Sequence, residues 1–444
     1  LTSAKTAVYA FFVQTPALEP AKTLKDTSLN DMFSELGRRL FFPRGIVAQS
    51  AEAEQKARRY NASVGMATLK GEPLCLPSIK KQVPGLSSRE ICAYAPTSGV
   101  AELRAAWREL QLRKNPLLKD VQTSVPLVTA GITHGVSLAA DLFADAGDAV
   151  LLPDMFWGNY RLIFETRRKA RIITYPMFKG PGLDLEAFAR ALEAEKAAKL
   201  LLVFNFPHNP TGYSPSETEA HALAALISGA AQKGRRVVVI IDDAYFGLYY
   251  EENTFAQSLF GLFAGLHKNI LAVKLDGATK EDVSWGLRLG FITYAAASLS
   301  TEHYGMLENK TMGAVRSSVS SCSRLSQTLL LKSLKQQEYT GEKNRLFSFL
   351  KERYTAVKQI VGGRSTERLA PLPFNSGYFL TFVCRGFEAE RLRGYLLHKR
   401  GIGTAAVSHN LLRVAYSGVD TSGLEEFFTE LYQAADTVAG EGES

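Results

Sequence analysis

Long apolar runs are missing from this chain of 444 residues. Crossing a bilayer takes about 20 consecutive apolar residues, and the longest candidate near the start, Ala7 to Val13, falls far short. That stretch also lacks a clear basic flank and a small-residue cleavage site, so no secretion signal is expected there. Cysteine is scarce as well. Cys75, Cys92, Cys322 and Cys384 lie far apart with no C-x-x-C pair, which argues against a disulfide framework and against structural zinc. Seven histidines are scattered without ligand spacing, and neither G-x-x-x-x-G-K-[ST] nor H-E-x-x-H occurs. Internal repeats and low-complexity blocks are absent, apart from a polar tail, Gly440–Ser444, that should fray. These absences lead us to expect a cytoplasmic protein with no membrane association and no metal.

What is present is an ordinary globular mixture: 46% hydrophobic and 22% charged residues exclude a disordered or collagen-like chain. The net charge of +8 suits an enzyme of acidic or phosphorylated substrates as well as a nucleic-acid binder. Asn61-Ala-Ser63 and Asn309-Lys-Thr311 match the glycosylation triplet, which without a secretion signal is read as coincidence.

The middle of the chain alternates short apolar runs with helix-period stretches. Strands are expected at Pro126–Thr129, Ala149–Leu152, Arg171–Tyr175, Lys199–Phe206, Arg236–Ile241, Ile270–Lys274 and Leu289–Tyr294. Helices are expected from His134 to Ala144, from Gly158, and over the Ala-rich Ser216–Lys233. Continuous apolar strands between helices indicate a mostly parallel sheet covered on both faces. The stretch Thr301–Glu338 reads as one long helix leading to a smaller α+β unit. That unit has strands at Gly377–Val383 and Leu411–Ala415 and helices at Glu388–Lys399 and Ser422–Thr437. We therefore divide the chain into an N-terminal segment (1–62), a stretch of small domain and linker (63–94), a large α/β domain (95–335) and a C-terminal α+β domain (336–444).

Ligands of such sheets bind beyond the carboxyl ends of the strands, so the residues just after each apolar run carry the functional argument. Asn209-Pro-Thr-Gly212 is a rigid turn presenting an amide, though an ordinary turn would look the same. Asp242, with Tyr245 three residues on, puts a carboxylate where burial is costly unless a cation meets it; a helix cap or internal ion pair is the plainer explanation. Lys280 stands after the sixth strand and Arg288 eight residues later. It is either a solvated surface charge or a lysine activated as a nucleophile. Gly131-Ile132-Thr133-His134 opens a helix whose free N–H groups favour an anion. An amine, a carboxylate, amide and phenol donors, an arginine and a helix N-terminus are together the equipment for pyridoxal 5′-phosphate.

In order and spacing, Asn209-Pro-Thr-Gly212, Asp242-x-x-Tyr245 and Lys280 with Arg288 resemble the class I/II aminotransferases of the fold-type-I pyridoxal-phosphate family, in the pattern nearest to aspartate aminotransferases. The likeness runs from Val64 to Val419. It implies a large domain with a seven-stranded, mostly parallel sheet and a smaller α+β domain. By resemblance, Lys280 forms the internal aldimine, Asp242 meets the pyridine nitrogen, and Asn209 and Tyr245 bond the phenolic oxygen. Arg288, Thr133 and the Ile132 amide would hold the phosphate. Trp157 stands where the family stacks an aromatic on the ring, unless it is a core tryptophan.

The resemblance also makes Tyr94, in Tyr94-Ala-Pro-Thr-Ser-Gly99, a tyrosine reaching the phosphate of a neighbouring subunit, which implies an obligate homodimer with shared sites. Gly65 would admit the substrate, and Arg413 would clamp its α-carboxylate bidentately. Arg316 either reads a distal carboxylate across the dimer or is an exposed helix charge. Two departures stand out: Gly277 replaces a serine three residues before the lysine, and the usual Asn-Pro-Pro near Arg316 is absent. The implied reaction is ping-pong transfer of an amino group from an L-amino acid, aspartate, glutamate or aromatic, to a 2-oxo acid such as 2-oxoglutarate. A lyase or decarboxylase of the same fold would use the same parts. A DNA-binding regulator with an aminotransferase-like domain is the reading from another class. Only Lys56-Ala-Arg-Arg59 forms a basic cluster ahead of Gly65, and no helix-turn-helix is visible there, so no nucleic-acid partner is expected.

Overall fold

The computed structural model describes residues 32–40, 45–364 and 366–440. The run Ala7–Val13, the first half of the 1–62 segment and all of the expected frayed tail but Gly440 lie outside them.

Seven strands form the main sheet: β1 (Leu127–Thr129), β2 (Ala149–Pro153), β3 (Arg171–Tyr175), β4 (Lys199–Asn205), β5 (Arg236–Asp242), β6 (Ile270–Gly277) and β7 (Gly290–Ala295). Their spatial order is β1-β7-β6-β5-β4-β2-β3. All neighbours run parallel except β7, which is antiparallel to both β6 and β1. The expected mostly parallel, seven-stranded sheet is thus observed. Strands β2, β4 and β5 bury nearly every residue, as runs such as Ala149-Val-Leu-Leu-Pro153 demand when helices cover both faces.

Helix α1 (Ala101–Lys114) and helix α2 (Ile132–Phe143) pack on this sheet, as does α3 (Glu217–Gln232). The start of α3 is fixed by a capping box. The Ser216 hydroxyl accepts from the Glu219 amide, and the Glu219 carboxylate accepts from the Ser216 amide at 2.8 Å.

One expectation is corrected. Thr301–Glu338 is not a single helix but two, α4 (Thr301–Ser318) and α5 (Arg324–Leu334). Between them Ser320 turns to φ +64°, and Ser323 caps the second helix through the Ser326 amide. The long helix that leads on to the second sheet is instead α6 (Tyr339–Gly362).

The smaller sheet contains β8 (Leu369–Pro371), β9 (Phe379–Cys384), β10 (Ala405–Ser408) and β11 (Leu411–Ala415), in the order β8-β9-β11-β10, all antiparallel. Helix α7 (Leu424–Gly440) covers it through Phe427, Phe428, Leu431 and Tyr432. The early chain joins this layer, where Tyr60–Asn61 pairs in parallel with Ile402–Gly403.

The two sheets are locked together at Gly212. Its carbonyl accepts from the amides of Asn375 and Ser376, each at 2.9 Å. Its φ is +75°, and a Cβ there would sit 2.0 Å from the Phe379 carbonyl oxygen. Only glycine fits such a contact. Gly212→Ala should therefore cost roughly 2–4 kcal/mol of stability through left-handed strain and overpacking. A thermal unfolding midpoint equal to that of the parent would contradict this.

Candidate active site

The register of the main sheet decides which side chains meet. Asp242 lies beside Asn205, the last residue of β4, and Leu275, two residues before the end of β6, so the carboxyl ends of three strands share one edge. Across that edge Gly277 pairs with Gly290, and Gly290 with Thr129. A cavity opens there, lined by Ile132, Thr133, Trp157, Asn205, Asn209, Asp242, Ala244, Tyr245, Thr279, Lys280 and Arg288. Eight residues expected from the sequence at this site, Ile132, Thr133, Trp157, Asn209, Asp242, Tyr245, Lys280 and Arg288, are brought together in it.

Lys280 projects from a short helical turn, Ala278–Glu281, directly after β6. Its ammonium lies 5.1 Å from the centre of the Tyr245 ring. Burial pushes this amine down to about 8; the attraction of Asp242 opposes the shift and the charge of Arg288 adds to it. It is not a surface charge.

Asp242 is buried, and its hydrogen-bond partners are neutral. The Tyr160 hydroxyl donates to Oδ2 at 2.5 Å and the Ala244 amide to Oδ1 at 3.1 Å. Burial raises its pKa, opposed by the Tyr160 hydrogen bond, the nearby Lys280 charge and the Ala244 amide. The internal ion pair weighed from the sequence exists one residue on, where Asp243 binds the wholly buried Lys274. Asp242 is left with lone pairs for a further donor.

The anion end follows from two glycines. Gly131 precedes α2 at φ +83°, no side chain caps this helix, and a Cβ would meet the Arg288 guanidinium at 2.7 Å. The first N–H groups of a helix have no partner within it, so Arg288 and the amino end of α2 form one positive cradle. Gly277, where the family serine is absent, would bring a Cβ to 2.6 Å from the Leu289 carbonyl. As packed here, the β6–β7 edge leaves no room for a side chain at this position.

Arg413, on β11 of the smaller sheet, reaches into the same region. Nη1 donates to Asn209 Oδ1 at 3.0 Å, Nη2 donates to the Ser63 carbonyl at 2.7 Å, and the guanidinium stacks over Phe379 at 4.4 Å. Its Nε is buried with no hydrogen-bond partner among the described residues, and burial lowers its pKa to about 10. Since Oδ1 of Asn209 accepts from Arg413, its amide nitrogen is left to donate elsewhere. Gly65 sits against this corner, where a Cβ would lie 2.6 Å from the Phe379 ring and 3.1 Å from the Tyr245 hydroxyl.

Tyr94 and Arg316 are not brought to the cavity within this chain. Tyr94 is 92% exposed, and Arg316 is an exposed residue on α4 that donates to Ser320 Oγ at 2.6 Å. Sequence reasoning missed Tyr160, Asn205 and Thr279. The first had a signal, because Tyr160 follows Trp157 by three residues and the rings meet edge-on at 5.5 Å.

The model of the class I and II aminotransferases matches residues 62–431, and the chain belongs to that family. This agrees with the aminotransferase and pyridoxal-phosphate expectations drawn from the sequence. A relative from Bacillus subtilis, named "Probable N-acetyl-LL-diaminopimelate aminotransferase", is 25% identical over 202 residues, 46% of this chain and 47% of the relative. One from Aquifex aeolicus, named "Probable aspartate/prephenate aminotransferase", is 25% identical over 338 residues, 73% of this chain and 79% of the relative. The chain spans about half the length of the first of these. A solved aminotransferase of Anaerococcus prevotii superposes with a TM-score of 0.81 at 22% identity, over 92% of this chain and 99% of the other. The fold is therefore that of pyridoxal-phosphate fold type I. Among the described residues no helix is long and apolar enough to cross a membrane.

The lowered pKa of Lys280 gives a direct expectation. Only the neutral amine attacks an aldehyde, so reductive methylation of Lys280 by formaldehyde and cyanoborohydride should rise with pH about a midpoint near 8. Peptide mass spectrometry across pH 6–11 reads this out. A midpoint near the 10.5 of an ordinary lysine would show that the amine is solvated.

Proposed function

We propose that this chain is a pyridoxal-phosphate-dependent aminotransferase that moves an amino group between an L-amino acid and a 2-oxo acid. The observation that carries the reading is the convergence on one cavity of the Lys280 amine, the Asp242 carboxylate without a cation of its own, and the Arg288–α2 cradle. Each matches one part of the cofactor: the aldehyde, the pyridine nitrogen and the phosphate. When bound, the cofactor supplies an electron sink for the negative charge that develops at the substrate α-carbon.

The residues divide the remaining work. Asp242 holds a proton at the pyridine nitrogen, and Tyr160 fixes the carboxylate that does so. Asn209 and Tyr245 donate to the phenolic oxygen, while Arg288, Thr133 and the Ile132 amide hold the phosphate. Trp157 packs against the ring. Lys280, its pKa lowered toward neutrality, would take the proton from the substrate α-carbon as general base and deliver it to the carbon that was the cofactor's aldehyde. Arg413 grips the α-carboxylate. Its orphaned buried Nε supports this role, since such a donor calls for an acceptor. Gly65 leaves room for the substrate.

For the substrate we favour a dicarboxylic or aromatic amino acid with 2-oxoglutarate, a reading supported by the name of the Aquifex relative and by Arg316. Arg316 and Tyr94 take part only if a second copy presents them to this cavity, so the proposal includes a homodimer with shared sites. The apolar surface of Val83, Ile91, Met306 and Val319, all exposed in the single chain, fits burial in such an interface. In this reading residues 63–94 and 336–444 belong to the small domain, which Tyr60–Asn61 joins by pairing with Ile402–Gly403, and 95–335 bind the cofactor.

Stoichiometric formation of glutamate from 2-oxoglutarate and an amino donor is the expected activity. Release of ammonia, pyruvate or carbon dioxide without an acceptor would replace transfer by elimination or decarboxylation. Lys280→Ala should remove the absorbance of the imine between Lys280 and the cofactor and lower turnover by orders of magnitude. Arg413→Lys, losing bidentate charge-assisted hydrogen bonds, should lower kcat/KM roughly 30–100-fold for every amino donor. Unchanged Michaelis constants and turnover would place the clamp elsewhere. Arg316→Ala should impair dicarboxylic substrates and spare aromatic ones, and an equal loss on both would remove that role.

A further inference from the structure

The two residues that follow Lys280 are both acidic and both buried, Glu281 to 6% and Asp282 to 0% exposure. Neither lines the cavity. Glu281 pairs with Lys114 at the end of α1 and lies 3.7 Å from the Lys343 ammonium. Asp282 takes Lys343 at 3.1 Å and accepts from the Tyr339 hydroxyl at 2.7 Å. Lys343 also donates to the Glu281 backbone carbonyl, and Tyr378 donates to the carbonyl of Lys280 at 3.2 Å. The turn that carries the amine is thus held on its far side by groups from outside the main sheet.

Tyr339 and Lys343 stand on the first turns of α6. Arg353, ten residues after Lys343 and so about 15 Å along the helix axis, is wholly buried. It donates to the Thr68 carbonyl at 2.6 Å and to that of Ser417, and pairs with Asp420 at 3.0 Å. Ser417 follows β11, the strand of Arg413. One continuous helix therefore grips the Lys280 turn at its start and the neighbourhood of Arg413 at its middle.

We infer that Lys343 and Tyr339 are positioning residues. Through Asp282 and Glu281 they hold the Lys280 turn at a fixed place relative to Arg413, so that amine and carboxylate clamp address the same substrate. The inference rests on the aminotransferase reading for the identity of the bound groups. The charged groups around the turn are Asp242 and Arg288 on the amine side, and Lys114, Lys343, Lys274 and Asp276 behind it.

The test loads cofactor-free protein with pyridoxal phosphate. Borohydride reduction and peptide mass spectrometry give the rate at which it becomes joined to Lys280, and kcat and KM are measured separately. Lys343→Met and Tyr339→Phe should slow attachment about tenfold or more, since small misplacements of a reacting group are costly. They should lower kcat more than they raise KM, and Lys343→Arg should recover most of the loss. Should Lys343→Met fail to fold, Tyr339→Phe, which removes one hydroxyl, carries the test. Attachment rates and kcat equal to the parent, with only the unfolding midpoint lowered, would overturn the inference and leave a structural ion pair. A parent protein that never attaches the cofactor at Lys280 would overturn the aminotransferase reading together with it.

Discussion

The structure turns on a carboxylate buried without a cation of its own. Taking a charged carboxylate out of water costs several kcal/mol unless an opposite charge is supplied. Asp243 meets that cost with Lys274, while its neighbour Asp242 receives only the Tyr160 hydroxyl and the Ala244 amide. Lys280 attracts it but bears no hydrogen bond to it among the contacts described. A group left short of positive charge at a strand end is unfavourable for folding and useful for binding. It is the kind of local conflict that marks a functional site, and in the proposed function a protonated ring nitrogen would be the partner that resolves it.

That site sits between two sheets, so its geometry is only as exact as their junction. The Asn209–Gly212 turn supplies the junction twice. Gly212 accepts two backbone amides from the segment leading into β9, and Asn209 accepts from Arg413 on β11. The same few residues thus line the cavity and hold Arg413 in place. Preorganisation of this kind is worth most when the supporting contacts are rigid, and the glycine that permits a 2.0 Å virtual Cβ clash has no substitute.

Much of this was legible from residue patterns. Strands such as Leu200–Phe204 declared themselves as apolar runs, and the residues after each run, Asn209, Asp242 and Lys280, proved to share one edge. The helix break after Ser318 was hidden because Ser-Val-Ser-Ser-Cys-Ser contains no proline or glycine; its one signal was Ser323, a good cap. Contacts between distant residues had no signal at all. Arg413 and Asn209 are 204 positions apart, and Lys343 and Asp282 belong to separate elements. Sequence periodicity encodes which face of an element is buried, and not which buried polar group on one element will meet another.

Electrostatics alone would not have picked the reactive amine. Burial pushes Lys114 down to about 7, somewhat further than Lys280 at about 8, and lowers Lys343 as well. Lys274, the most deeply buried of them, moves the other way because Asp243 and Asp276 overcome its desolvation. What separates these four is where the nitrogen lies. Lys114, Lys274 and Lys343 have carboxylates within contact distance and stand behind the sheet edge, whereas Lys280 alone among them lines the cavity. A lowered pKa makes a lysine capable of nucleophilic attack; a cavity shaped on one side by Asp242 and on the other by Arg288 gives it something to attack. The three paired lysines touch carboxylates that flank and underlie the turn, whereas Lys280 is the one of the four that faces the cavity with no carboxylate in contact among the described residues.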